Sequence, residues 1–301
     1  MKEIVLITGA NGLIAKELSK QLESTYSVRF LTRKKKYENE FEWDIAKATL
    51  DERALENVSH IIHLAGAGVA EKRWTDERKK EIISSRVDSA GLILKALQKN
   101  NQKIRSFVSA SGINYYGTGT TDKIFTEKDL PGKDFLSEVT VLWEQAADEF
   151  KNHGITERVV KLRTGVVLSE KEGALKKMLP TIKAGIGSPL GTGKQYMPWI
   201  HIEDICSMYE FTLKNPDLDG AFNAVAPEHA TNRNLTEKAA QVLKKPLFMP
   251  NVPAFILKLI FGELSVAVLE GSRASCEKIK SAGFQFKFPD LKEALKDLLK
   301  N

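Results

Sequence analysis

Short apolar runs alternate with amphipathic stretches along the first half of the chain. Residues 4–7 form an unbroken apolar run that ends at Thr8-Gly9, and three later stretches repeat their apolar positions at helical spacing. Those helical stretches are residues 13–22, 82–97 and 136–150. The remaining apolar runs have the length of strands, and they are residues 28–31, 61–64, 107–109 and 158–168. Strands that alternate with helices predict a parallel sheet with right-handed crossovers.

The pattern changes after residue 168, where residues 173–193 are rich in glycine. Strand-like segments return at residues 199–202 and 221–225, and helical segments at residues 235–243, 255–269 and 291–299. We predict an α/β fold: a doubly wound parallel sheet with a smaller, interleaved C-terminal domain. In this division residues 1–168 form the larger domain, and the chain re-enters that domain near residues 196–230. Residues 169–195 and 231–301 form the smaller one.

Composition and charge exclude several classes of protein. The chain has 45 Lys and Arg against 39 Asp and Glu, a net charge of +6, and its main basic cluster is Arg33–Lys36. Such a cluster is typical of a solvated turn, so an RNA-binding or membrane-surface protein built on it is the less favoured alternative. No apolar run reaches the length of a membrane span. Residues 252–269 are interrupted by Lys258 and Glu263, and they are expected to form a half-buried helix.

The two cysteines, Cys206 and Cys276, lie far apart and in no metal-binding spacing. Together with an N-terminus that has no leader-like pattern, they predict a cytoplasmic protein with inert thiols and no metal site. We expect a small-molecule substrate and no nucleic-acid or membrane partner. The pattern leaves open whether the chain assembles into a homo-oligomer.

A glycine-rich turn joins the first strand to the first helix and has the spacing of a phosphate-binding loop. Gly9 permits the tight turn, and Gly12 lets the backbone approach a pyrophosphate. Asn11, Leu13 and Ile14 complete the turn at the start of a helix, whose free N–H groups attract anions. The motif therefore predicts a dinucleotide-binding site of the Rossmann type, and a glycine-rich turn without a ligand is the alternative.

The ends of the following strands indicate which dinucleotide binds. NAD(H) enzymes usually have an acidic residue after the second strand, whereas this chain has Thr32-Arg33. A guanidinium pairs with a 2′-phosphate and stacks on adenine, so Arg33 favours NADP(H); a solvated turn arginine is the alternative. Asp44, followed by Ile45, is a candidate acceptor for the adenine amino group or simply ends a strand. The backbone expected beside the ribose and pyrophosphate belongs to Leu64, Ala65 and Gly66.

Strings in the C-terminal half resemble a known family. Residues 187–204 read GSPLGTGKQYMPWIHIED, and shorter strings lie at residues 223–227, 231–232, 269–271, 283–284 and 288–289. With the N-terminal loop, they resemble the atypical, sugar-nucleotide-epimerase-like subgroup of the extended short-chain dehydrogenases/reductases, within the NAD-dependent epimerase/dehydratase superfamily. The resemblance covers the whole chain. It implies a Rossmann fold, an NADP(H) cofactor and a substrate that is generally unassigned.

The family's acid–base chemistry uses a Tyr-x-x-x-Lys pair on one helix face and a nearby serine. Alignment of the corresponding helix places Leu136 and Thr140 at the tyrosine and lysine positions. The serine position holds Gly112, with Ser111 beside it, and Ser111 stays a candidate catalytic residue. The usual pair is therefore absent from this chain.

Other residues are candidates for the missing roles. Tyr115 and Tyr116 lie at the carboxyl end of the fifth strand, where they would act as replacement acids or pack as aromatic side chains. Arg86 stands at a position that is Asn in many relatives. It would pair with a cofactor phosphate or replace the lysine charge, with Glu81 orienting it; an exposed helical salt bridge is the alternative.

Two functions follow from these observations. The first is an NADP(H)-dependent oxidoreductase or epimerase that acts on a small polar substrate such as a nucleotide-sugar, with the nicotinamide carrying the hydride. The rival is a non-catalytic NADP(H)-binding sensor or regulatory protein. The missing Tyr/Lys pair favours the regulator, and the intact substrate-side segment at residues 185–204 favours the enzyme.

Overall fold

The chain folds into alternating strands and helices, and the computed structural model describes residues 2–300. The strands are β1 (Ile4–Thr8), β2 (Ser27–Thr32), β3 (Glu40–Asp44), β4 (Thr49–Leu50), β5 (Val58–His63), β6 (Ser106–Gly112), β7 (Ile124–Phe125), β8 (Val159–Thr164), β9 (Val166–Leu168), β10 (Trp199–His201), β11 (Gly220–Ala224) and β12 (Arg273–Ala274). The helices are α1 (Leu13–Leu22), α2 (Asp76–Lys99), α3 (Phe135–Asn152), α4 (Gly173–Lys183), α5 (Ile202–Lys214), α6 (Asn232–Val242), α7 (Ala254–Phe261), α8 (Val266–Leu269), α9 (Glu277–Ser281) and α10 (Leu291–Leu298).

The main sheet has eight strands within the described residues, in the order β11-β8-β6-β5-β1-β2-β3-β4. Its strand pairs are parallel except for β3 and β4. From β1 the chain proceeds outward to β2 and β3, and then crosses to β5 on the other side of β1. Such a reversal opens a crevice at the carboxyl ends of the central strands, where ligands bind. The predicted Rossmann-type fold is confirmed.

Strand β1 shows how both faces of the sheet are covered. Val5 and Ile7 belong to one hydrophobic core and Leu6 to the other, because successive side chains alternate between the two faces. Helices α1 and α5 supply the first core, and α2 and α3 supply the second. A strand that is buried on both faces is a continuous apolar run, which is the pattern at residues 4–7.

The C-terminal half contributes both to the main sheet and to separate small pairs of strands. β11 extends the sheet beside β8. β10 pairs with β9 instead, and β12 pairs with β7. Helices α6 and α10 pack against each other in this half of the chain. Successive segments of this half therefore belong in turn to the main sheet and to the small strand pairs and helices outside it.

Helices α4 and α5 are not predicted from the sequence pattern. α5 begins at Ile202, so this residue does not continue the strand-like segment before it. His201 caps the helix, since its Nδ1 accepts a hydrogen bond from the N–H of Glu203 at 3.1 Å. The acidic side chains of Glu203 and Asp204 in the first turn complement the helix dipole and are the signal for a helix start.

Residues 252–269 also differ from the single half-buried helix that the sequence predicts. α7 ends before Gly262, which adopts a φ of +60°, and a 3-10 turn then leads into α8. Leu257 is the buried residue of α7. Its exposed apolar residues are Phe255, Leu259 and Ile260. In the described part of the chain, no helix is long and apolar enough to cross a membrane.

Candidate functional site

The turn between β1 and α1 has a geometry that requires glycine at Gly9. The φ of Gly9 is +72°, and a Cβ there would lie 3.0 Å from the carbonyl oxygen of Leu64. The N–H of Gly12 donates to the Gly9 carbonyl at 2.8 Å, which closes the turn. A Cβ at Gly12 would lie 3.2 Å from that same oxygen. The turn is therefore packed tightly against the segment that follows β5.

Helix α1 begins without a side-chain cap. Its N-cap residue, Gly12, offers no side-chain acceptor, and the first turn contains no acidic residue. The first N–H groups of a helix, here including those of Leu13 and Ile14, have no intrahelical partner. Asn11 is exposed next to them. Free donors and the positive end of the helix dipole make this terminus suitable for a pyrophosphate.

A hydrogen-bond network joins this turn to the loop after β5. Thr8 Oγ1 accepts hydrogen bonds from the N–H groups of Leu64 and Ala65, each at 2.9 Å. Its own proton is therefore directed to His63 Nδ1 at 3.0 Å. His63 then carries its proton on Nε2, which lies 3.2 Å from Ser89 Oγ. These bonds fix the backbone of the predicted ribose segment against the phosphate-binding turn.

The buried His63 should make the fold sensitive to acid. Burial lowers the pKa of His63 from 6.5 to about 4, so the folded protein holds it neutral at pH 7. The unfolded chain takes up this proton near pH 6.5. The contribution of His63 to the free energy of unfolding is therefore fully present above pH 6.5. It falls by roughly 3 kcal/mol as the pH decreases to 4. Burial also lowers the pKa values of His60 and His201, which adds to the loss.

Urea unfolding at neutral and acidic pH measures this dependence. We expect the wild-type free energy of unfolding to fall steeply on acidification, and a His63→Asn variant to show a smaller fall. His153→Asn is the matched control, because its side chain is 47% exposed and pairs on the surface with Glu149. A His63→Asn variant that is as sensitive to acid as the wild type would contradict the prediction.

Arg33 and Asp44, which lie in separate parts of the sequence, line one open pocket beside the ends of β2 and β3. Arg33 is exposed, and no carboxylate of residues 2–300 pairs with it. Asp44 accepts from the N–H of Lys47 at 3.1 Å, and Lys47 lines the same pocket. Ile45 is half-buried next to Asp44, and the buried Thr32 uses its hydroxyl within its own turn, at 3.4 Å. The pocket thus combines the unpaired guanidinium of Arg33 with the carboxylates of Asp44, Glu42 and Asp51.

Arg86 lies on α2, and its guanidinium is buried between Gly66 and α3. A Cβ at Gly66 would lie 2.9 Å from Arg86 Cζ, and the ring centroid of Trp143 lies 4.6 Å from Cζ on the α3 side. Arg86 Nη1 donates to the carbonyls of Ala67 at 3.1 Å and Ile82 at 2.7 Å. Arg86 Nε is buried and has no hydrogen-bond partner within residues 2–300. Burial lowers the pKa of Arg86 to about 10, so the group stays charged at pH 7.

The prediction that Glu81 orients Arg86 is wrong. The Glu81 carboxylate pairs with Arg78 at 2.6 Å, and Arg78 donates to the Gly68 carbonyl at 2.6 Å. The reason is helix geometry. Glu81 and Arg78 are three residues apart and share a helix face, whereas Arg86 is five residues away and points elsewhere.

The positions of the family's tyrosine and lysine are filled by packed side chains. Leu136 and Thr140 are buried on α3, and Thr140 Oγ1 donates to helix carbonyls at 3.0 and 2.9 Å. A Cβ at Gly112 would lie 3.3 Å from Thr140 Cγ2. Helix α3 therefore meets the end of β6 at the aligned positions. Neither a phenol nor an ammonium group is supplied there.

Ser111 and Tyr116, two of the predicted catalytic residues, are buried. Ser111 Oγ donates to Glu144 at 2.7 Å, and the Glu144 carboxylate binds Arg163 at 2.7 and 2.9 Å. The Tyr116 hydroxyl accepts from Arg163 at 3.0 Å and donates to Asn223 at 2.7 Å. Burial also raises the pKa of Tyr116 to about 12. These hydrogen bonds tie the end of β6 to α3 through Ser111, and to β8 and β11 through Tyr116.

Tyr115 is the predicted general acid whose hydroxyl is not engaged by another side chain of residues 2–300. It is half-buried, and its hydroxyl makes no hydrogen bond with the described residues. The guanidinium of Arg163 lies 3.3 Å from the ring centroid, and the ring of Tyr116 packs edge-on at 5.4 Å. The ring is thus fixed from two sides while its hydroxyl is free to donate a proton.

The two cysteines and the groups that could bind a metal ion are the remaining candidates for a reactive site. Cys206 and Cys276 are free and buried, and burial raises the pKa of both thiols, that of Cys206 to about 12. Both thiols are therefore held in the protonated form at neutral pH, which is consistent with the predicted lack of reactivity. Among residues 2–300, no group of three His, Cys, Asp or Glu side chains is arranged to hold a metal ion.

Comparison with known proteins gives matches along the whole chain. The family described as NAD dependent epimerase/dehydratase matches residues 5–225, and a domain of unknown function (DUF1731) matches residues 252–298. The epimerase family protein SDR39U1 homolog, chloroplastic, of Arabidopsis thaliana is 34% identical over 305 residues, covering 98% of this chain and 86% of the relative. The epimerase family protein YfhF of Bacillus subtilis is 32% identical over 302 residues, covering 98% and 97%.

A solved structure of a human relative has the same fold. The crystal structure of human epimerase family protein SDR39U1 (isoform2) with NADPH has a TM-score of 0.89 to this chain, at 30% identity over 99% of both chains. These matches confirm the family resemblance, and the human relative was solved with NADPH, the cofactor that the sequence predicts for this chain. The glycine-rich turn, the parallel sheet and the matched family model together establish that the chain belongs to the NAD dependent epimerase/dehydratase family.

Proposed function

We propose that this chain binds NADPH across the carboxyl ends of the central strands. The pyrophosphate would lie against the free N–H groups at the start of α1, and Arg33 would pair with the 2′-phosphate. Asp44 would accept a hydrogen bond from the adenine amino group, with Ile45 beside the ring, and residues 64–66 would follow the ribose. The supporting observation is that an uncapped helix start and an unpaired arginine follow two neighbouring strands of the sheet, β1 and β2.

Arg86 would direct its unused donor toward the cofactor. Its guanidinium contacts Gly66, the last residue of the segment that would follow the ribose. A buried charge with an unpartnered Nε is costly for the fold, and a bound oxygen atom would supply the missing acceptor. The residues present therefore fit a dinucleotide at both ends of the proposed site.

Replacing Arg33 by alanine should weaken NADPH binding and leave NADH binding unchanged. The 2′-phosphate occurs only in NADPH, and its lost charge-assisted hydrogen bond corresponds to about 1.5–3 kcal/mol, or roughly 10–150-fold in Kd. Isothermal titration calorimetry with both cofactors measures the difference. Lys34→Ala is the matched control, because Lys34 does not line the pocket. An Arg33→Ala protein that binds NADPH normally would exclude Arg33 from the site.

The function that the geometry supports best is NADPH-dependent redox chemistry, or redox-coupled epimerisation, on a small polar substrate such as a nucleotide-sugar. When bound, the nicotinamide supplies or accepts a hydride. Tyr115 would exchange a proton with the substrate oxygen, because its hydroxyl is unused and Arg163 holds its ring. The chain would thus act as an oxidoreductase or epimerase in which Tyr115 replaces the family's tyrosine as the general acid.

The cleft would lie between two parts of the chain. We propose that residues 1–168, with returns near residues 196–230, form the cofactor side, and that residues 169–195 and 231–301 form the substrate side. Residues 1 and 301 of these ranges lie outside the described residues. A cytoplasmic location is part of the proposal, supported by the two free thiols.

A second function is favoured by one observation. Leu136 and Thr140 occupy the positions of the acid–base pair as packed, buried side chains. The alternative is therefore a non-catalytic NADP(H)-binding sensor or regulator. Such a protein would bind NADPH as tightly as an enzyme does, but it would not turn it over.

NADPH oxidation against a panel of sugars, nucleotide-sugars and simple ketones separates these functions. Mass spectrometry of small molecules that co-purify with the protein narrows the panel. The proposal expects turnover with at least one compound. Tight NADPH binding without turnover of any compound would replace the enzyme by the sensor.

A further inference from the structure

An exposed apolar surface, which we name the docking surface, consists of residues 244–260 together with Ile186. Phe248 and Phe255 are each 71% exposed, and Leu259 is 75% exposed. Ile186, Met249 and Ile260 are exposed as well. Ile186 lies next to this segment, since a Cβ on its neighbour Gly185 would lie 3.6 Å from Pro246. Single exposed apolar residues are ordinary, but six in two short neighbouring segments indicate an interaction site.

The same part of the chain carries an excess of positive charge. Residues 173–202 and 238–262 contain eight lysines and no Asp or Glu. The rest of the chain has 37 Lys and Arg against 39 Asp and Glu, so these two segments account for all of the net charge of +6. Lys183, Lys244, Lys245 and Lys258 flank or belong to the docking surface, and no carboxylate of residues 2–300 pairs with them.

Helix α7 places apolar and basic groups on one outward face. Phe255 and Leu259 are four residues apart and therefore share a helix face, with Lys258 beside them. Such a lysine extends its alkyl chain along apolar surroundings and keeps the ammonium in water. This arrangement is typical of helices that lie in the interface of a lipid bilayer.

The positive charge indicates which kind of partner binds the docking surface. A second copy of the chain would place lysines against lysines, which opposes association through this face. A bilayer with anionic headgroups satisfies both properties, because its acyl chains take up the apolar side chains and its phosphates attract the lysines. We propose that the docking surface binds peripherally to membranes that contain anionic phospholipid. The lysines involved are not those of Arg33–Lys36, and the sequence alone predicts no membrane partner.

The docking surface is held firmly by the rest of the protein. Arg73, in the loop between β5 and α2, donates through Nε to the Ile260 carbonyl at 2.7 Å. The N–H of Gly191 donates to the Val252 carbonyl at 2.8 Å, and just beyond the docking surface Lys79 pairs with Glu263 at 2.5 Å. The exposed side chains therefore extend from a fixed backbone. Because these side chains are exposed, we expect the fold to tolerate their replacement by polar residues.

Co-sedimentation with vesicles tests this inference. The wild-type protein should sediment with an equimolar mixture of phosphatidylserine and phosphatidylcholine, sediment little with phosphatidylcholine alone, and dissociate in high salt. Each lysine near an anionic surface is worth about fivefold in partitioning, so Lys183→Glu/Lys244→Glu/Lys245→Glu should lower the partition coefficient by about 100-fold. Phe255→Ser/Leu259→Ser should lower it by about tenfold or more.

Lys95→Glu/Lys103→Glu/Lys128→Glu is the matched control, because it makes the same change in net charge at exposed lysines outside the docking surface. This control should retain most of the binding. No sedimentation with phosphatidylserine, or equal losses in both triple variants, would overturn the proposal. A lipid-free protein that is dimeric by light scattering and becomes monomeric in Phe255→Ser/Leu259→Ser would assign the surface to a second copy instead.

Discussion

Replacing Tyr115 by phenylalanine should lower turnover by about 10²–10⁴-fold, which is the usual contribution of general acid catalysis. The substitution removes a hydroxyl that makes no hydrogen bond within residues 2–300, so the fold and the affinity for NADPH should be retained. Turnover is measured as NADPH oxidation with the substrate that the panel identifies, and affinity is measured by calorimetry. A fall in turnover without a fall in affinity assigns the hydroxyl to the chemical step.

Tyr116→Phe is the matched control for this experiment. It removes a buried hydroxyl that donates to Asn223 and accepts from Arg163. We therefore expect a loss of about 1–3 kcal/mol in stability and little change in turnover. Fast turnover in the Tyr115→Phe protein would exclude Tyr115 as the acid. Loss of turnover in the folded Tyr116→Phe protein alone would transfer the role to Tyr116.

Replacing Gly12 by valine should abolish measurable NADPH binding, with a rise in Kd of about 100-fold or more. The branched side chain would occupy the space in which backbone N–H groups receive the pyrophosphate, and each lost charge-assisted hydrogen bond costs about 1.5–3 kcal/mol. Gly12 has a φ of −72° that any residue adopts, so the turn need shift only by the few tenths of an ångström that a Cβ 3.2 Å from the Gly9 carbonyl oxygen requires. Calorimetry reports the binding, and circular dichroism reports the fold.

Gly119→Val is the matched control for the phosphate-binding turn. Gly119 is exposed, and a Cβ there would have no neighbour within 4 Å. Its substitution should leave both the fold and NADPH binding unchanged. Normal NADPH affinity in a folded Gly12→Val protein would show that the pyrophosphate lies elsewhere.

The sequence predicts the parts of the fold that depend on local patterns. The apolar run before Thr8 and the spacing of Gly9 and Gly12 are sufficient to predict β1, α1 and the turn between them, because period and glycine content act locally. The same holds for the end of β2, where Arg33 follows the strand directly. The family resemblance adds the prediction that Leu136 and Thr140 replace the acid–base pair.

The interior of the site depends on long-range contacts that a local pattern does not contain. Ser111 lies in β6, and Tyr115 and Tyr116 follow that strand. The hydroxyls of Ser111 and Tyr116 are taken up by Glu144 on α3 and Asn223 on β11, more than 30 residues away in each case. The network of Thr8 and His63 is likewise a long-range contact, although polar residues that end adjacent strands are a signal for it.

The exposed face of α7 is a similar case. Apolar residues at helical spacing predict a helix at residues 255–269, but they do not reveal whether a partner covers it. In the structure Gly262 interrupts the helix, and Leu257 is the residue of α7 that packs inward. Burial is a property of the whole fold, so the sequence pattern alone does not show that Phe255, Leu259 and Ile260 stay exposed.

Isothermal titration calorimetry of the wild-type protein with NADPH and NADH tests the central claim most directly. The free helix terminus at α1 and the unpaired Arg33 beside it predict binding of both dinucleotides, with NADPH tighter by about 10–150-fold. Equal affinities, tighter NADH binding, or no heat of binding with either compound would contradict the account.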